Sequence, residues 1–239
     1  MTKTFSIIFI TIIFVLLFDS INFASVFEKR SREQNNPPVV KIISPKNNST
    51  FSANIPVHFS ITVSDKEDGN SKYDEINPKE VLLEVKILND TNNIAEIEKS
   101  VQPDPPGLAA LRTSNCFNCH SFDSKLIGPS FKEIIKKYKP TAENIALLEK
   151  RIREGSTGVW GKVSMPTHPE LSDLQIENMV KWIMENAALP NIHYYIGTEG
   201  SVILKPEKNG YLLTASYTDH GINNSDRLKG QDAVVILPK

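Results

Sequence analysis

Cys116-Phe117-Asn118-Cys119-His120 holds both cysteines of this 239-residue chain, with a histidine directly after the second. A disulfide between residues so close would constrain the unfolded chain little, because the loop it closes is short. The pair is there for chemistry. Two thiols at this spacing, followed by His, match the pattern by which a haem is tethered. The thiols add to its two vinyl groups, and the histidine ligates the iron. Three rivals use the same residues. A structural zinc site needs about four protein ligands, normally with a second cysteine pair, and none exists here. A thioredoxin-type dithiol wants a βαβ surround, whereas the flanks read as helical. A plain disulfide leaves His120 unexplained.

A second axial ligand is expected downstream on a loop. Met165, Met179, Met184 and His168 are the candidates. Met179 and Met184 fall in an amphipathic helix, where methionine usually fills the core. Met165 follows the loop Gly155-Ser156-Thr157-Gly158-Val159-Trp160-Gly161, precedes Pro166 and lies outside any helical pattern. His168, bracketed by Pro166 and Pro169, is the weaker alternative.

From Pro103-Asp104-Pro105-Pro106-Gly107 to Pro190 the pattern is helical. Ile145, Leu148 and Ile152 share one face, and Ile176, Met179, Val180 and Ile183 share another. Ser172 and Gln175 make a capping-box signature ahead of the second helix. Before this segment, Val57, Phe59, Ile61 and Val63 alternate with polar residues, as do Val81, Leu83, Val85 and Ile87. Both have the period of half-buried strands. The turns between them include the acidic Asp65-Lys66-Glu67-Asp68, which reads as a solvated turn with calcium as its alternative. After Pro190, Val202–Leu204, Tyr211–Tyr217 and Val234–Leu237 return to strand patterns. At the N-terminus, Lys3 and the apolar run Phe5–Phe18 read as a signal peptide rather than a bilayer span. The expected division is therefore a signal peptide at 1–25 and a linker at 26–37. A β-domain follows at 38–102, an all-α domain at 103–190 and a β-rich segment at 191–239.

Residues Gly107 to Asn186 resemble a class I, small bacterial monohaem cytochrome c. The likeness rests on the Cys116–His120 motif, on Leu126-Ile127-Gly128-Pro129-Ser130-Phe131, and on the loop through Trp160 to Val163-Ser164-Met165-Pro166. It implies one covalent haem c on Cys116 and Cys119, with His120 and Met165 as iron ligands. It also implies that the Pro129 carbonyl orients His120 and that Trp160 packs by the haem, its indole reaching a propionate. The segment from Pro38 is similar to PKD-like, immunoglobulin-type β-domains. The tail resembles β-segments of secreted bacterial fusions that also carry dehydrogenase domains.

These readings imply an exported electron carrier, periplasmic or secreted, and not an enzyme. Its partners would be redox proteins: a dehydrogenase as donor, and an oxidase or another cytochrome as acceptor. A haem that senses or transforms small molecules, with a displaceable Met165, is one alternative. A carbohydrate-binding accessory module is another. The formal net charge of −1 argues against nucleic acid as a partner. Membrane contact is expected only if the N-terminal segment stays uncleaved.

Overall fold

Strand patterns on both sides of a helical segment leave open whether they pair with each other. The computed structural model, which describes residues 34–88, 102–222 and 226–239, shows that they do. The expected signal peptide, residues 26–33 of the linker and residues 89–101 of the expected β-domain lie outside the described residues.

Nine strands form two sheets among the described residues. In the first, β3 (Pro56–Asp65) pairs antiparallel with β1 (Val39–Ser44), β4 (Gly69–Asn70) and β7 (Glu199–Ile203). The second runs β2 (Ser49–Phe51), β9 (Lys229–Pro238), β8 (Tyr211–Thr218), β5 (Leu82–Ile87), β6 (Ile192–Ile196). The β2–β9 pair is parallel. The sheets pack face to face over one core, to which Phe59 and Val63 contribute from the first sheet, and Leu83, Leu213 and Tyr217 from the second. At one side the backbone N–H of Ile42 in β1 donates to Asp232 of β9 at 2.7 Å, so a carboxylate completes the strand's pairing.

The stretch 191–239 is thus no separate tail. It supplies β6 to β9, and β5 lies between two of them. Alternation along these strands has a second use. Leu83 and Tyr195 face the sandwich core, while their neighbours Leu82 and Tyr194 join the core of the helical segment. The acidic turn after β3 also departs from expectation. Asp65 is buried, and its Oδ1 accepts the N–H groups of Glu67 at 2.8 Å and Asp68 at 2.7 Å. Among the described residues, no three His, Cys, Asp or Glu side chains are grouped to hold a metal ion.

The helical segment comprises α1 (Pro106–Thr113), α2 (Phe131–Lys137), α3 (Ala142–Glu154) and α4 (Asp173–Asn186). Ser172 and Gln175 form the capping box of α4, and Ser130 and Glu133 form a second one on α2. Helix α1 crosses α4 at Gly107, where a Cβ would lie 2.3 Å from the Asn178 carbonyl oxygen; only glycine permits this approach. Ile176, Met179, Val180 and Ile183 are buried along α4. No described helix is long and apolar enough to cross a membrane.

Charge locks the helices to the sandwich. Arg112 of α1 is buried, and its Nη1 lies 3.2 Å from Asp104. It also donates to Ser216 Oγ at 2.9 Å, the Ser216 carbonyl at 3.0 Å and the Glu80 carbonyl at 3.1 Å. Lys229 of β9 holds the other oxygen of Asp104 at 2.7 Å. Removing one partner of a buried ion pair strands the others. Arg112→Ala is therefore expected to destabilise the protein by about 3–5 kcal/mol, measured as the shift in a urea unfolding midpoint.

Candidate haem site

Around Cys116 the chain makes a single 3-10 turn, Cys116–Asn118, entered through the left-handed Asn115. The N–H groups of Cys119 and His120 both return to the Cys116 carbonyl, at 3.2 and 2.9 Å. This tight winding brings Cys116, Cys119 and His120 to the wall of one cavity. The two cysteines are not joined to each other. Burial pushes the Cys116 thiol up to about 12, with Cys119 adding to the effect.

The chain then folds back over the motif. The Gly128 N–H donates to the Cys119 carbonyl at 2.9 Å, and the Phe131 N–H to the Ser121 carbonyl at 2.9 Å. The return places the Pro129 carbonyl 2.7 Å from His120 Nδ1. A carbonyl only accepts, so Nδ1 carries the proton and Nε2 keeps its lone pair. Burial lowers the His120 pKa and favours the neutral ring, against the opposing pull of the Pro129 contact. Gly128 lies against the imidazole: a Cβ there would sit 2.5 Å from His120 Cε1.

Met165 reaches the same cavity on an irregular loop. Ser156 holds it by two backbone bonds: the Met165 N–H donates at 2.8 Å, and its carbonyl accepts at 3.1 Å. Gly155 permits the approach, since a Cβ would lie 2.7 Å from the Met165 carbonyl oxygen. His168 and Met179 also line the cavity. His168 Nδ1 is 2.8 Å from Glu170, and Met179 is packed deep in the helical core. Met184 is only partly buried against that core.

Trp160 lines the cavity too, flanked by α2 and its C-terminal end. The Lys137 ammonium sits 4.5 Å from its ring centroid, and the Tyr138 ring stands edge-on at 6.4 Å. Arg151 was not among the sequence candidates. It lines the cavity, stacks over Tyr138 at 5.1 Å and donates to the Tyr138 hydroxyl. Its signal in the sequence is a cation placed between Leu148 and Ile152 on an otherwise apolar helix face.

The donor set and the shape fit a haem. Two thiols and an imidazole with a free lone pair share a wall. Leu111, Ile134, Leu148, Ile152 and Val180 give the cavity an apolar lining. Gly128 leaves the imidazole flat and unobstructed.

Comparison with known proteins finds cytochromes c over the same segment. The family model described as Cytochrome c matches residues 106–187. Cytochrome c-551 of Azotobacter vinelandii is 38% identical over 78 residues, covering 33% of this chain and 94% of that protein. Cytochrome c2 of Rubrivivax gelatinosus is 42% identical over 74 residues, covering 30% and 87%. The crystal structure of Nitrosomonas europaea cytochrome c552 matches at 32% identity, covering 32% of this chain and 95% of that one, with a TM-score of 0.31. The chain belongs to the cytochrome c family, and its residues 106–187 form an electron-transfer domain with one covalently bound haem c on Cys116 and Cys119.

Proposed function

We propose that the protein is a periplasmic or secreted single-electron carrier whose haem iron is ligated by His120 and Met165. It takes electrons from an exported dehydrogenase and delivers them to an oxidase or another cytochrome. One observation carries the ligand assignment: His120, with Nε2 free, and Met165, pinned by Ser156, line the same cavity. The haem supplies a metal that changes oxidation state by one electron. The chain supplies the rest. Pro129 fixes the imidazole and raises its basicity. The apolar walls keep water away. Trp160 and Arg151 offer an indole N–H and a guanidinium to propionates. Two protein ligands leave no coordination position for a substrate, which suits a carrier.

The finer identity of the flanking regions belongs to the same reading. We take the helical unit to run from 103 to 190 and the sandwich to be of immunoglobulin type. The dehydrogenase donor is supported by the likeness of these flanks to those of secreted fusions. A purified co-exported dehydrogenase should reduce the oxidised protein in stopped-flow mixing. Failure of every such enzyme to do so would overturn the donor assignment.

Two substitutions test the ligand geometry. Met165→Ala should keep the covalent haem, abolish the weak far-red sulfur-to-iron band of the oxidised form, lower the potential and let the reduced form bind CO. Met179→Ala should leave that band intact while destabilising the core by about 2–5 kcal/mol. If the band instead disappears with Met179→Ala or His168→Ala, Met165 is not the ligand. Gly128→Ala would force a methyl into the imidazole. It should cost about 1–3 kcal/mol of stability through overpacking and perturb the haem spectrum, with the haem still attached in denaturing gels.

A further inference from the structure

The histidine of the haem motif does not face its surroundings alone. Its ring lies nearly parallel to Phe131, with centroids 5.6 Å apart and 15° between planes. Phe131 meets Phe122 edge to face at 5.4 Å. Phe122 in turn packs against Tyr194 at 4.9 Å and Trp182 at 6.1 Å, and Trp182 touches Tyr194 at 5.5 Å. Phe122 and Phe131 are each 2% exposed, so these contacts are made in a closed interior. Such interiors are packed like organic crystals and transmit displacement.

Tyr194 is the member of this series that the helical unit does not own. It stands on β6, an edge strand of the sandwich, directly opposite Glu84 on β5. The pairing of β6 with β5 fixes its backbone. The tyrosine is therefore held along its backbone by the sandwich and at its ring by the haem domain. The single hydrogen bond from His120 to Pro129 fixes one nitrogen of the imidazole. The tilt of the ring plane is left to what lies against the ring, which is the Gly128 backbone and Phe131.

We propose that Tyr194 is a positioning residue for the axial histidine, acting through Phe122 and Phe131, so that the β-sandwich sets the orientation of His120. The proposal rests on His120 being an iron ligand. It makes the sandwich a component of the haem environment, beyond a carrier or spacer. The neighbouring Tyr195 provides a control from the same strand. It faces the other way and packs on Phe59 in the sandwich core at 6.2 Å.

The test uses the full mature protein with its haem. Ferric low-spin EPR g-values, which report the orientation of the axial ligands, and the midpoint potential are measured together for each variant. Tyr194→Ala should shift both. Tyr194→Phe, which keeps the ring, should restore the wild-type g-values. Tyr195→Ala should leave both readouts unchanged while lowering the unfolding midpoint. If Tyr194→Ala does not accumulate with haem, Tyr194→Leu takes its place, keeping apolar volume without a ring plane. Unchanged g-values in the ring-less variant would overturn the proposal. So would an equal shift in Tyr195→Ala. Failure of the underlying ligand reading looks different: the wild-type spectrum would then lack histidine ligation before any substitution at Tyr194.

Discussion

Strand Leu82–Ile87 is paired on one side by Ile192–Ile196 and on the other by Tyr211–Thr218. Both partners are reached only after the chain has passed through the entire helical unit. Everything else in the described architecture depends on that closure. It turns two β-rich stretches into one sandwich and anchors both ends of the haem domain on a single sheet. It also puts Leu82 and Tyr194 on the helical side of that sheet, where they complete the apolar core behind the haem motif. The haem domain is thus an insertion within a β-structure, and the insertion shares its core with its host.

Energetically the two parts are joined by unlike forces that act on the same surface. Apolar burial is non-directional and holds many docking angles almost equally well. The Arg112–Asp104–Lys229 cluster is directional, and its groups are poorly hydrated once buried. A misdocked helix α1 would leave Arg112 without Ser216 and the Glu80 carbonyl, and Asp104 without Lys229, in a dry interior. The penalty for wrong geometry is what gives this joint its definition.

The sequence exposes some of this directly and hides the rest for a physical reason. A haem motif is a local pattern, and so are the amphipathic face of α4 and the Ser172–Gln175 cap. Each is written within a few residues of itself. Strands β3 and β5 also show their period. What no local pattern records is partnership: nothing in Tyr211–Tyr217 says that it pairs with a strand more than a hundred residues earlier. The tail therefore reads only as a β-rich segment too short for a core of its own, with its neighbours unspecified. Asp65 reads as solvated for the same reason, since its burial comes from the fold around the turn. At the site, the motif residues and the loop around Met165 are visible in the chain. The placement of Arg151 is not, because a cation on a helix face acquires meaning only when the cavity beside it exists.

The partly buried Cys116 carries a consequence for how the haem is attached. Thioether formation needs a reactive sulfur, and reactivity follows the thiolate. Before the haem is attached, the folded surroundings push this thiol upward, toward its protonated form. The folded pocket thus disfavours the reactive form of the very sulfur it must attach, so the haem is more readily joined to a chain in which residues 106–187 are still open.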